Sequence, residues 1–519
     1  MDIFFLALVF VPNMEQIIYK SPFIRGVFTL IFAAMIPDEC PRSGLPVAAR
    51  LFLCAGGLAF LAGCADLSGI APKAQLASVE QVAAARLSAA PAAAGDAWWA
   101  AWGDPQLDRL VAQALAGNPG LKAVRARAEA AAAVAGMARS ETRPELALDA
   151  RSYRQRYSAN QFFPPPIGGS VYWNNEAVFG LGYDLDLWGQ KESRLAAALD
   201  RVHVAEAEVR QVRIELVAAL AAAYAQLAAH YELADIARAE QSRLETNLTI
   251  AQRRQRAGLG TGREADAVSE ALARQQARVE ALASDIVLDR HLLAALAGLG
   301  PQAGDDIARP QLAGQGGLDL PASLPADLVG RRPDLIARRW QVEAAGQDIA
   351  AAKADFYPNI NLLAFVGVQS LAFSNLLASG SAMYGAGPAL SLPLFDGGRR
   401  RSRLSHETAA YDAAVEDYNA GLVDALREVA DRLERLQRNG HELETYRAAL
   451  AAAEHRLAAA QKALRAGLVP EQAEIDARAA VLADRETLAG LEGERRVAYA
   501  GLVLAAGGDL GGPAAGARQ

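Results

Sequence analysis

Three glycines at alternate positions, Gly258, Gly260 and Gly262, stand in "RRQRAGLGTGREADA" with Arg263 directly behind them. Such a run can cradle a phosphate where it joins a strand to a helix, because backbone N–H groups and the helix dipole converge on the anion. Residues 240–256, just upstream, are charged and helical in pattern rather than a buried strand, so the run reads as a turn between helices. No HExxH pair, Walker A loop or nucleophile elbow occurs elsewhere. The six His and three Cys are too scattered for metal-ligand spacing. The expectation is a protein that is not an enzyme and holds neither metal nor cofactor.

One cysteine has chemistry of another kind. Arg42 and Arg50 precede an apolar stretch at 51–63, and Leu61-Ala62-Gly63-Cys64 comes next. A positive n-region, an h-region and small residues before a cysteine fit a bacterial lipobox, in which the Cys64 thiol takes a covalent lipid and cleavage leaves that cysteine first. A plain signal peptide is the alternative. Ala65 after the cysteine favours sorting to the outer membrane. The runs "IFFLALVFV" and "GVFTLIFAAMI" further upstream are both too short to span a bilayer as a helix. The start residue stays open between Met1 and Met35.

The elements that must position these residues are mostly helical. Of 519 residues 52% are hydrophobic but only 7% aromatic, and alanine, the best helix former, carries much of the difference. A net charge of −7 argues against nucleic acid as a partner. The chain also repeats itself. "NPGLKAVRARAEAAAAVAGMARSETRPELAL" aligns with "RPDLIARRWQVEAAGQDIAAAKADFYPNINL", placing Pro333 and Pro358 each 214 residues after Pro119 and Pro144. "LGYDLDLWGQKESRLAAALD" aligns with "PALSLPLFDGGRRRSRLSHE", placing Phe395 207 residues after Trp188. "RQRAGLGTGREADA" aligns with "KALRAGLVPEQAEIDA", placing Gly467 209 residues after Gly258.

Each copy predicts a helix of about 35 residues ended by Pro144 or Pro358, two strands, a very long helix and a return helix. The domain plan is an extension and lipoprotein signal at 1–63, an anchored linker at 64–104 and a first repeat at 105–300. A linker at 301–320, a second repeat at 321–507 and a tail at 508–519 complete it. Strands are expected at about 145–153, 178–187, 359–369 and 384–394. Leu146, Leu148 and Ala150 alternate with Asp149 and Arg151; Phe179, Leu181, Tyr183, Leu185 and Leu187 alternate with residues that include Asp184 and Asp186. Period-two alternation fits strands with two different surroundings. Leu195, Val202, Val209 and Leu216, then Val415, Leu422, Val429 and Leu436, recur every seven residues, as do Leu272, Val279, Ile286 and Leu293. These heptads predict antiparallel coiled-coil packing. Four strands cannot close a barrel alone, and open edges are costly in lipid. Either several chains share one barrel, with Asp149, Arg151, Asp184, Asp186 and Asn361 in a wet lumen, or the sheet belongs to a soluble sandwich. Pro388 has no place in this pattern.

"WWAAWGDPQLDRLVAQALAGNPGL", "RRPDLIARRWQVEAAGQDIAAAKADFYPNINL" and "LSLPLFDGG" resemble the TolC-like family of outer-membrane efflux proteins, and the lipobox places the chain near its lipoprotein branch, typified by OprM and NodT. The resemblance covers about 95–507. It implies a mainly α protein with a membrane β-barrel segment: a homotrimer whose twelve strands form one barrel above a periplasmic tunnel of twelve helical strands. It implies a periplasmic membrane-fusion adaptor, an inner-membrane pump of RND, MFS or ABC type, contact with outer-membrane lipid, and passive conduction of drugs or other small toxic molecules. The helix tips that meet the adaptor would be Arg256, Gly258 and Leu259, and Arg465, Gly467 and Leu468. Glu264, Asp266 and Asp476 are candidates for a carboxylate gate, although Ala473 stands where the second copy would match Glu264. An acid in the first turn of a helix is favourable by itself, so both readings of these carboxylates stay open. A type I protein-secretion conduit and a structural coiled-coil envelope lipoprotein remain as alternative functions.

Overall fold

The computed structural model describes residues 67–78, 97–160, 162–313 and 331–508. The chain divides after Asp66: residues 1–66 lie outside the described residues, and the unit described below is Leu67–Gln519. Cys64 and the signal-like stretch therefore lie outside the described residues.

Within the second unit the order is α1 (Pro105–Gly117), α2 (Pro119–Glu141), β1 (Glu145–Arg156), β2 (Val171–Asp184), α3 (Gln190–Arg256) and α4 (Gly262–Leu296). Next come α5 (Pro333–Ala354), β3 (Asn359–Ser370), β4 (Ala382–Ser391), α6 (Arg399–Arg465) and α7 (Glu471–Ala505). Both long helices have 67 residues, about 100 Å of rise each.

Three expectations need correction. The single helix before the first strand is two. Pro119 has no N–H and disfavours helical backbone at the preceding residue, so Asn118 sits at φ −59°, ψ 123° and caps α2 by accepting from Leu121 N at 3.0 Å. Arg332 before Pro333 takes the same extended backbone at φ −61°, ψ 126°, without a side-chain cap. The second strand runs 171–184, not 178–187. The polar run Asn174-Asn175-Glu176 inside its first half hid it from a search for alternating apolar residues. Asp186 is not on the strand's wet face: it turns the chain at φ +43° and accepts from Lys191 N and Glu192 N at the start of α3. The last strand ends at Ser391 rather than 394, before Pro393.

The heptads are real packing seams. Val415, Leu422, Val429, Leu436 and Leu443 on α6 are all buried. The Ala-rich middle of α3 is apolar enough, by length and composition, to cross a membrane. It is instead enclosed, because α2, α4, α5 and α7 all pack on it, and alanines such as Ala221, Ala225 and Ala229 let them come close. Trp98 and Trp102 add a large aromatic contribution, with Trp98 5.9 Å from the Tyr499 ring and Trp102 edge-on at 5.7 Å. Next to them, buried Asp104 accepts from Tyr224 Oη at 2.6 Å, Gln311 N at 2.7 Å and Gln106 N at 2.9 Å, tying three segments together. Burial pushes the Asp104 carboxyl up, but these bonds outweigh it and hold it below its ordinary value. The same burial and the Asp104 bond push the Tyr224 phenol up.

The packing order has open ends. Among the described elements α6 packs substantially only on α5 and α7, α2 only on α3, and α4 only on α3 and the turn at Pro301–Asp306. The open flanks carry exposed apolar side chains: Val134 and Met137 on α2, Val287, Leu288 and Leu292 on α4, Val423 and Tyr446 on α6.

Candidate functional site

The four strands form one antiparallel sheet in the order β1-β2-β3-β4. Register fixes which residues share a face. Leu146 lies opposite Leu181, Leu181 opposite Ala364, and Ala364 opposite Ala386. The next row is Leu148, Phe179, Val366 and Tyr384, and the one after it Ala150, Ala177, Val368 and Ala382. This apolar face is exposed: Leu146 is 68% accessible, Phe179 50% and Tyr384 82%. No soluble sheet leaves such a face open at low cost. The opposite face carries Asp149, Arg151, Asn174, Glu176, Asp184 and Asn361, with Arg151 opposite Glu176.

The apolar face ends on a polar row that satisfies itself. Ser152 donates to Asn175 Oδ1 at 2.8 Å, and Asn175 Nδ2 donates to the Ser370 carbonyl at 3.2 Å. Asn175 is buried. Beyond that row Trp173 meets Phe373 at 5.7 Å. At the helix end Trp188 stacks on Tyr357 at 4.6 Å and donates to the Pro358 carbonyl at 2.8 Å. The sheet is thus apolar in the middle and belted by aromatics at both ends, as a strand wall in a bilayer requires.

Its two edges, β1 and β4, are unpaired. Leu185 N donates to Ile360 O, so the even-numbered residues of β3 direct their backbone groups at β2 and the odd-numbered ones at β4. The even-numbered residues of β4 therefore face the open edge. Pro388 is one of them, so its missing N–H takes nothing from the ladder inside the chain.

The far ends of the long helices are two matching turns. Gly258 (φ +75°) and Gly467 (φ +73°) take the left-handed conformation that favours glycine. Gly258 N donates to Gln255 O and Leu259 N to Arg254 O; Gly467 N donates to Leu464 O and Leu468 N to Ala463 O. Both are Schellman caps. In that motif the residue after the glycine usually packs back on the helix. Here Leu259 is 73% and Leu468 78% accessible. Arg256 Nε and Arg465 Nε each donate one turn back, to Gln252 O and Gln461 O. Glu264 lies in the first turn of α4, Asp266 is exposed beside it, and Asp476 on α7 accepts from Gln472 at 2.9 Å. No hydrogen bond or ion pair joins these three carboxylates, and among the described residues no cluster of His, Cys, Asp or Glu could hold a metal.

A further feature had no sequence signal. Residues 67–78 run along α6. Lys73 N and Ala74 N donate to Asp412 Oδ1, Ala77 N donates to Asn419 Oδ1, and Asn419 Nδ2 returns a bond to Gln75 O. The two backbone bonds hold the Asp412 carboxyl below its ordinary value. Arg401, in the first turn of α6, donates to Ser68 O at 3.2 Å. Asp412 and Asn419 are one heptad apart, a spacing that only the structure gives meaning.

The sequence matches the family described as outer membrane efflux protein over residues 110–299 and 324–508. It is 40% identical over 358 residues to the fusaric acid resistance protein FusA of Burkholderia cepacia, covering 67% of each chain. It is 31% identical over 471 residues to the multidrug resistance outer membrane protein MdtP of Escherichia coli K12, covering 88% of this chain and 96% of that one. Among solved structures, the outer membrane protein VceC of Vibrio cholerae superposes with a TM-score of 0.73 at 29% identity, over 81% of this chain and all of that one.

Proposed function

We propose, from the premise that this chain belongs to the outer membrane efflux protein family, that three copies close into one channel and pass small toxic organic molecules outward. The carrying observation is that every layer is open on the same two flanks. The sheet ends in β1 and β4, and the helices end in α2 and α4 on one side and α6 on the other. One neighbour, repeated around a threefold axis, pairs all of these at once. The even residues on both strand edges share the apolar face, so β1 can pair antiparallel with a neighbour's β4 and keep that face toward lipid. Asp149, Arg151, Glu176 and Asp184 then line a wet lumen, and the transported molecule meets charge and water rather than a catalytic group.

The drug-resistance names of FusA and MdtP support small molecules as cargo. The channel conducts passively, and the driving energy comes from an inner-membrane pump through a periplasmic adaptor. Leu259 and Leu468 are the adaptor knobs, because the turns that present them leave them uncovered. Glu264, Asp266 and Asp476 supply negative charge near the same end. A lipid on Cys64 adds an anchor, and the strap from Leu67 to Ser78 along α6 would carry its hold to the helices. The test is purification from outer membranes. A trimer that survives SDS unheated and conducts ions in a planar bilayer is expected; a monomer without conductance refutes the proposal.

A further inference from the structure

Only two charged side chains stand on the apolar face of the sheet, Arg154 and Arg156. The strand residues of that face are the even positions of β1, β3 and β4 and the odd positions of β2, and they include no Asp, Glu or Lys. Arg154 is exposed and has no hydrogen bond or ion pair with the described residues. Arg156 is exposed and spends one N–H on the Gly169 carbonyl at 3.3 Å. Two cations on a lipid-facing wall cost free energy unless an anion meets them.

Their height says which anion. All four strand–helix junctions lie at one end of the sheet, and the hairpin loops 157–170 and 371–381 at the other. The helices are periplasmic in this family, so the loops face outward. From Ile360 to Ser370 the apolar face of β3 rises roughly 25 Å along the barrel axis, at about 3.3 Å per residue and a tilt of about 40°. That is the height of an outer-membrane hydrocarbon band. Along β1, Arg154 stands roughly 5 Å above Ser152, the residue that ends that strand's apolar run, and Arg156 roughly 10 Å above it. Both lie at the headgroup level of the outer leaflet. Arg154 is directly opposite Trp173, whose ring belongs to the outer aromatic belt.

We infer that Arg154 and Arg156 bind the phosphates of lipid A, the bisphosphorylated lipid of the outer leaflet. Guanidinium forks match phosphate oxygens in pairs, and a fatty-acylated phosphate also fills the apolar wall below. The site repeats three times around the channel and rests on the barrel reading above.

Native mass spectrometry of the purified trimer tests it, with bisphosphoryl lipid A, dephosphorylated lipid A and inorganic phosphate as probes. Wild type should hold bisphosphoryl lipid A. Arg154→Gln with Arg156→Gln should lower that binding at least about tenfold, as losing two charge-assisted contacts per site predicts. Lys122→Gln, on exposed α2 surface, should leave it unchanged. The unheated trimer band verifies assembly of each variant, and Arg154→Gln alone is scored if the double variant fails to assemble. Equal lipid A binding by an intact variant trimer overturns the site and leaves the channel standing. Equal binding of dephosphorylated lipid A, or displacement by inorganic phosphate at matching concentration, overturns the assignment to lipid A phosphates. A wild-type chain that forms no trimer overturns both.

Discussion

Replacing both tip leucines with serine, Leu259→Ser with Leu468→Ser, separates docking from folding. The side chains are 73% and 78% accessible, so folding gains little from them, and the free protein should lose no more than about 0.5 kcal/mol. Full burial of a leucine is worth about 1.5–3 kcal/mol, so covering the exposed three-quarters of each contributes roughly 1–2 kcal/mol on docking. Two tips per protomer make that about 2–4 kcal/mol, or roughly thirty- to a thousandfold in affinity for each protomer engaged. The assay is drug susceptibility in a strain lacking its own copy, with trimer abundance in the outer membrane measured in parallel. Normal trimer with lost resistance is expected. Gly467→Ala is the contrasting change. A Cβ there meets nothing within 4 Å, so its cost is only the strain of a left-handed alanine, about 1–2 kcal/mol, and it acts on the turn itself. Full resistance in the double serine variant, at normal trimer abundance, would refute the docking argument.

A Cβ on Gly493 of α7 would fall 2.6 Å from the Ala229 Cβ on α3, so Gly493→Val should force the helices apart and cost about 1–3 kcal/mol, seen as a lower melting temperature of the trimer. Asp104 is ionised in the fold with a pKa below its ordinary value; its contribution is present above the ordinary carboxylate range and is lost as pH falls through the lowered pKa. Asp104→Asn should therefore cost about 1–3 kcal/mol at neutral pH and flatten the acid side of the stability profile, measured by thermal melts across pH. Cysteines at Leu148 and Leu390 should cross-link between protomers, whereas Asp149 paired with Leu390 should not, because those two side chains lie on opposite faces of the sheet. Cross-linking of the second pair instead of the first would refute an apolar face that runs on unbroken from β1 to a neighbour's β4.

Much of this architecture was legible because its signals are local and repeated. The heptad from Val415 to Leu436 is a branched aliphatic residue at one spacing, and the paired glycines Gly258 and Gly467 mark turns that any helix hairpin needs. The hidden parts depend on partners far along the chain. Asn174 and Asn175 read as loop residues until Ser152 and Ser370 are set beside Asn175. Asp186 looked like a member of an alternating strand, but a carboxylate before a helix competes for its free N–H groups, and the helix won. Pro388 made sense only when the parity of the backbone groups showed which way its nitrogen points. The strap on Asp412 and Asn419 joins residues more than three hundred positions apart, and nothing in residues 67–78 announces it. The candidate carboxylates remain three separate side chains in one protomer, so any ring they make belongs to the trimer.

The two tips share a cap but differ in the residues just after it. One continues Leu259-Gly260-Thr261 into α4; the other continues Leu468-Val469-Pro470 into α7. A threefold ring of such protomers presents six knobs around its mouth, alternating between a glycine-rich kind and a proline-stiffened kind. Any collar of six identical subunits must then be quasi-equivalent, gripping every second knob in a different conformation. A collar of three could instead ignore one class of tip.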